Sequence, residues 1–193
     1  YENYKEMISK ENLDILSVVT SDHRHTSITV DGANAGIKGI FVEKPLATSV
    51  EDADRMIDAC EKNGVALSVD HTRRWNPLYH KVRDTILSGT IGQLSTIVAT
   101  QGGKRAMLFR NGTHMIDLIC FFADSDPEQA FCLLEKGFEG WDRYKGDGGK
   151  LPENDPGASA MVKFQNGVRA FYCGTKNTYQ MFSIQLSGTE GQI

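Results

Sequence analysis

Four short segments combine residue types that can do electrostatic or acid–base chemistry. The first is Glu43-Lys44-Pro45, which ends the apolar run GIFV. A lysine at a strand end is ordinarily a solvated surface charge. Three features raise this one. The run before it is apolar throughout, a strand end is the ligand edge of an α/β sheet, and proline fixes its own φ and makes a cis Lys44-Pro45 bond accessible. A fixed ammonium group there can stabilise the alkoxide that develops as an alcohol gives up hydride. The second segment holds His114 and Asp117, three apart and so on one helix face. Alone, the pair reads as a satisfied histidine that the carboxylate orients or neutralises. Beside a lysine site it becomes a proton acceptor, because imidazole titrates near neutrality. The third, residues 21–25 (SDHRH), starts a helix with Ser21 or Asp22 as its cap, and His25 with the loop backbone can face a bound nucleotide. The fourth, residues 71–77 (HTRRWNP), reads as an interdomain linker with Trp75 packed as a plug. It also brings Arg73 or Arg74 towards a cofactor.

These segments need elements to position them. Residues 13–20 (LDILSVVT), 39–43 and 65–69 read as strands buried on both faces, separated by helices over about 25–35 and from a Ser49 cap to Asn63-Gly64. Strand, helix, strand, helix, strand at this spacing predicts parallel pairing with right-handed crossovers, half of a doubly wound sheet. From Asn76-Pro77 the pattern changes. A helix, a strand from about Leu94, a glycine-bearing loop and a helix over about 113–122 precede a mostly β region, with a hairpin around Asn166-Gly167. The fold class is therefore α/β: a partial Rossmann-type parallel sheet over residues 1–72, then an α+β domain with a mostly antiparallel open sheet over residues 73–193. Residues 137–157, rich in Gly, Asp, Lys and Pro and including Trp141 and Tyr144, read as a functional lid or a disordered loop.

Bulk properties exclude several classes. A net charge of −4 over 193 residues argues against nucleic acid as a partner, and no apolar run approaches a membrane span. The four cysteines, Cys60, Cys120, Cys132 and Cys173, lie far apart inside apolar segments, so they read as buried thiols in a reducing compartment, with no disulfide framework and no metal site. Gly32, Gly36 and Gly39 do not spell a phosphate-binding GxGxxG loop, so the pyrophosphate site is expected outside this segment. The chain begins at Tyr1 and stops as a new apolar segment begins, so it reads as an internal piece of a longer protein.

Taken together, these segments resemble the glucose–fructose oxidoreductase, inositol dehydrogenase and rhizopine catabolism (Gfo/Idh/MocA) family. Val19-Thr20-Ser21-Asp22 with His25 looks like the family's strand-four turn, and Phe41-Val42-Glu43-Lys44-Pro45-Leu46-Ala47 resembles its signature. Arg73-Arg74-Trp75-Asn76-Pro77 looks like its domain-crossing segment, Gly112-Thr113-His114 with Asp117 like its catalytic helix, and Gly188-Thr189-Glu190-Gly191 like its closing turn. The resemblance implies NAD or NADP, bound with the help of Thr20, Ser21, His25, Glu43, Lys44, Pro45, Arg74 and Trp75. It implies that Lys44 hydrogen-bonds substrate and cofactor, that Glu43 lies by the nicotinamide ribose, and that His114 is the acid/base. Lys44, Arg110, His114 and Asp117 then contact a sugar, inositol or polyol substrate. A cytoplasmic homodimer or homotetramer, paired through the second domain's open sheet, completes the expectation. One position departs: many members carry Asp four residues before the helix histidine, and here it is Arg110, which cannot accept a proton. It can instead bind an acidic or phosphorylated group. Two other activities stay open, a non-catalytic nucleotide-binding sensor and an NAD-dependent glycosidase.

Overall fold

The segments ILSV, GIFVE and ALSVD form three parallel strands, β1 (Ile15–Val18), β2 (Gly39–Glu43) and β3 (Ala66–Asp70), paired in that order. The structure, a computed structural model, describes residues 1–141, 144 and 151–193, with only the main chain of Pro152. The sheet grows in one direction. Right-handed crossovers therefore place both connecting helices, α2 (His25–Asn34) and α3 (Val50–Asn63), on the same face. A short first helix, α1 (Tyr4–Lys10), capped by the Asn3 side chain, adds Tyr4, Met7 and Ile8 to that side.

On the helix-covered face Leu16, Val18, Ile40 and Val42 pack with Ile28, Ala33, Met56 and Cys60. Gly32 lets α2 come close: a Cβ there would lie 2.9 Å from the Leu16 side chain. Two expectations need correction here. β1 is not buried on both faces: Ile15 is 72% exposed while Leu16 and Val18 are buried. As an edge strand with helices on one side, it shows the alternation of a half-covered sheet. The Ser21 side chain makes no capping bond at the 3₁₀ turn Asp22–Arg24; Asp22 is buried instead, and its Oδ2 has no hydrogen-bond partner among the described residues. Ser49 does cap α3, accepting from the Asp52 amide.

The chain divides into two compact units, Tyr1–Asp70 with Trp141–Asn154, and His71–Gly140 with Asp155–Ile193. Within the first, the Tyr144 amide donates to the Thr48 carbonyl. The expected lid or loop over residues 137–157 lies partly outside the described residues.

The second unit opens with a 3₁₀ turn, Thr72–Trp75, and α4 (Pro77–Leu87), which Asn76 caps at the Leu78 amide. β4 (Leu94–Gly103), α5 (Thr113–Ala123), β5 (Pro127–Leu134), β6 (Ala158–Phe164), β7 (Arg169–Lys176) and β8 (Met181–Gly188) follow. Its sheet runs β5-β6-β7-β4-β8, antiparallel except between β4 and β7. The inner face, with Ile97, Ala99, Phe164, Ala170, Tyr172 and Leu186, packs on Met115, Leu118, Ile119 and Phe122 of α5. The outer face carries a cross-strand row, Phe131, Met161, Phe171 and Val98, all exposed.

The four cysteines are free, as expected, but not all are buried: Cys132 and Cys173 are exposed. Both lie in this sheet, on the edge strand β5 and on β7. Trp75 is no plug either, for it is 63% exposed.

Candidate functional site

In the first unit the polar segments converge at the carboxyl ends of the parallel strands. Glu43 ends β2 beside Asp70 of β3 and accepts the Lys44 amide at 3.0 Å on its own Oε2. Lys44 and Glu43 are half-buried, and the Lys44-Pro45 peptide is cis. The turn is held from below by His25, which is fully buried. Its Nδ1 lies 2.9 Å from the Pro45 carbonyl and its Nε2 3.2 Å from the Thr20 carbonyl. One imidazole thus ties the end of β1 to the turn after β2. Its ring is spent on main chain, so it supports the turn from inside, while the Thr20 and Ser21 side chains stand at the surface.

In the second unit the corresponding feature is a π-helical turn, Leu108–Gly112, that leads into α5. Irregular turns of this kind recur at functional sites because they re-aim the side chains they carry. This one carries Arg110 and places His114 in the first turn of α5. The His114 ring meets His71 edge-on, with centroids 6.0 Å apart. Two buried residues fix the turn. Asp155, fully buried, accepts the Phe109 amide at 3.0 Å and the Arg110 amide at 2.9 Å. Tyr172 of β7 stands behind the helix start: a Cβ on Gly112 would lie 2.8 Å from its hydroxyl, which accounts for the glycine there.

Burial pushes the Asp155 carboxyl up to about 6, although both amides and the nearby Lys176 and Arg110 charges favour its ionised form. Burial, and then the Asp155 charge, likewise raises the Tyr172 phenol.

Asp117 pairs with Arg74, a partner that the helix spacing does not suggest. Arg74 Nε binds both its oxygens, at 2.8 and 2.9 Å, and the Arg74 guanidinium also lies over the Phe121 ring. Arg73 lies over Phe182, 4.0 Å from the ring centroid. These pairs span dozens of positions, beyond any local pattern.

Sequence reasoning missed Asp155 and His71. Asp155 sits in a polar stretch that looks solvated; its one signal is its place just before Pro156 and β6. His71 was noted only as the start of a linker.

Residues 1–71 match the oxidoreductase family described as having an NAD-binding Rossmann fold, and residues 79–193 match the GFO/IDH/MocA C-terminal domain. The chain belongs to the Gfo/Idh/MocA oxidoreductase family. The 1,5-anhydro-D-fructose reductase of Ensifer adhaerens is 27% identical over 98% of this chain and 59% of its own length. The inositol 2-dehydrogenase of Salmonella typhimurium (strain LT2) is 33% identical over 48% of this chain and 28% of its own. The crystal structure of myo-inositol 2-dehydrogenase from Lactobacillus plantarum superposes with a TM-score of 0.79, at 23% identity, covering 100% of this chain and 60% of that one. The chain thus spans less than two thirds of each of these relatives. The fold is that of the Gfo/Idh/MocA dehydrogenases, a parallel sheet unit followed by a mixed, mostly antiparallel five-stranded one.

Proposed function

We propose that this protein moves hydride between NAD or NADP and a secondary alcohol of a sugar, inositol or related polyol. The observation that carries the reading is the Glu43-Lys44-Pro45 turn, set at the carboxyl end of the central parallel strand and held from below by His25. Ligands of open α/β sheets bind at such strand ends. The residues fit the nicotinamide end of the cofactor, since a polar strand edge carries a cation, a carboxylate and a buried Asp22 oxygen with no hydrogen-bond partner among the described residues. When bound, the cofactor supplies or accepts the hydride.

In this assignment residues 1–72 serve the dinucleotide and residues 73–193 the substrate and the subunit contact. Lys44 stabilises the substrate oxygen as negative charge develops on it, and His114 takes up or returns the hydroxyl proton. Glu43, with Thr20 and Ser21, lies by the nicotinamide ribose, and Trp75 offers an exposed ring to the cofactor. Arg74 acts at one remove, because its guanidinium is engaged with Asp117. Arg110 contacts substrate. The exposed row on the outer sheet face supports pairing of two copies, since a contiguous apolar stripe gains by leaving water. Among the described residues no helix is long and apolar enough to cross a membrane, and a cytoplasmic site of action fits the family.

Replacing Lys44 by Ala in the full-length protein should lower kcat for NAD(P)-linked polyol oxidation by on the order of a hundredfold or more, with the circular dichroism spectrum unchanged. An unaltered rate would remove Lys44 from the chemistry.

A second reading, a nucleotide-binding sensor without turnover, draws on one observation: Arg110 occupies the usual aspartate position while Asp117 is committed to Arg74. Absence of any nicotinamide absorbance change across a broad polyol panel would favour it.

A further inference from the structure

A cavity of about 340 Å³ opens within the second unit, lined by Gln101 and Gly102 at the end of β4, Lys104, Arg105 and Ala106 in the following loop, Asn111 of the π-helical turn, and Gln180. Its walls are built rather than loose. Ala106 and Met107 are buried and anchor the loop, whose Ala106 amide closes a turn on the Gly103 carbonyl. The Asn111 side-chain amide donates to the Arg105 carbonyl at 2.7 Å, which ties the loop to the turn that carries Arg110.

Two features of the cavity lack partners. Gln101 is only 7% exposed, and its Oε1 is buried with no hydrogen-bond donor among the described residues. Leaving such an oxygen unmet is unfavourable by roughly 1–3 kcal/mol, so buried amides of this kind usually have a donor. The adjacent cations, Lys104 and Arg105, are exposed, and neither pairs with a carboxylate among the described residues.

We infer that this cavity binds an anionic polyol, a sugar or polyol bearing a carboxylate or phosphate group. Lys104 and Arg105 receive the acidic group, and a hydroxyl of the same molecule donates to Gln101. A neutral polyol leaves both cations unanswered, and a bare anion leaves the Gln101 oxygen so. The inference deepens the dehydrogenase reading by naming the chemical class of its substrate, and it rests on that reading only for the claim that the bound molecule reacts.

The test is a calorimetric titration of the full-length protein, without nucleotide, by D-gluconate, glucose 6-phosphate, inorganic phosphate and neutral myo-inositol. At least one anionic polyol should bind on the order of tenfold or more tightly than myo-inositol, and the advantage should shrink as salt is raised. Which of gluconate and glucose 6-phosphate binds more tightly tells carboxylate from phosphate. Lys104→Gln with Arg105→Gln should abolish the advantage while leaving the unfolding temperature unchanged. Gln101→Leu should weaken the anionic polyol and leave inorganic phosphate as it was. Equal binding of charged and neutral polyols, no binding of either, or full anion affinity in the double variant would each overturn the inference. The dehydrogenase reading fails separately, through an absence of nicotinamide turnover, because the titration requires no reaction.

Discussion

Two turns, one in each unit, carry proposed site residues and are held by opposite means. After β2, the turn with Lys44 is secured through its carbonyls: the buried His25 imidazole reaches the Pro45 and Thr20 oxygens. Before α5, the turn with Arg110 is secured through its amides: the buried Asp155 carboxylate accepts from Phe109 and Arg110. In each case a fully buried side chain, distant in sequence from at least part of what it grips, fixes main chain beside Lys44 or Arg110. The difference is electrostatic. The imidazole faces two carbonyl acceptors, and a ring with a single N–H donates to only one of them at a time. A carboxylate fixes two amides at once but must ionise in a dry place, and its raised pKa reflects that conflict.

The comparison breaks most visibly with pH. Asp155 titrates at about 6 in the folded chain and at its ordinary 3.8 when unfolded, so the folded state binds the extra proton in between. Stability should therefore fall as pH rises from about 4 to about 6, by at most about 3 kcal/mol from this group, and level off above it. Urea unfolding across that range should show the decline in the native chain and lack its Asp155 part in Asp155→Asn; identical slopes would place the carboxyl in a wetter setting. The Phe109 and Arg110 amide resonances should move with the same midpoint.

Removing His25 tests the other clamp. His25→Ala leaves the Pro45 and Thr20 carbonyls without a buried partner and opens a void, so a loss of about 2–3 kcal/mol is expected from denaturant unfolding, with little of the Asp155 pH slope disturbed. Turnover should fall with it, because the turn that aims Lys44 loosens. A variant as stable as the parent would show that the turn holds itself.

Smaller effects should follow where neither clamp is touched. Arg74→Lys cannot reproduce an Nε that serves both Asp117 oxygens, and the half-exposed setting of the arginine limits the loss to about 1 kcal/mol. A double-mutant cycle with Asp117→Asn isolates that coupling. Trp75→Ala should change stability by less than about 0.5 kcal/mol, since the ring is 63% exposed. If Trp75 lines the nucleotide site, its fluorescence will be quenched as NAD or NADP is added to the full-length protein.

Much of the fold was legible before any coordinates. The caps at Ser49 and Asn76, the Asn166-Gly167 hairpin and the alternation of strand and helix rest on interactions a few residues long, which spacing reveals. The Glu43-Lys44-Pro45 turn stood out for the same reason, as polar residues ending an apolar run. Partner choice was not legible. Asp117 shares a helix face with His114, and only the fold shows that both its oxygens also accept from the single Arg74 Nε–H, 43 positions away. Asp155 looked like one more polar residue in a glycine-rich stretch until β6 and β7 carried it beneath the π-helical turn. Ile15, Cys132 and Cys173 misled in the opposite sense, since an apolar segment on an edge strand or an outer sheet face still meets solvent.

By itself, then, the order of residues determined the element types, the strand-end turn and the family, since hydrophobic period, capping and turn chemistry all act over a handful of neighbours. Only the tertiary structure decided which side chains are dry, which distant groups pair and what grips each of the two turns. Those outcomes depend on burial and on contacts between distant segments, and both exist only once the chain has closed on itself.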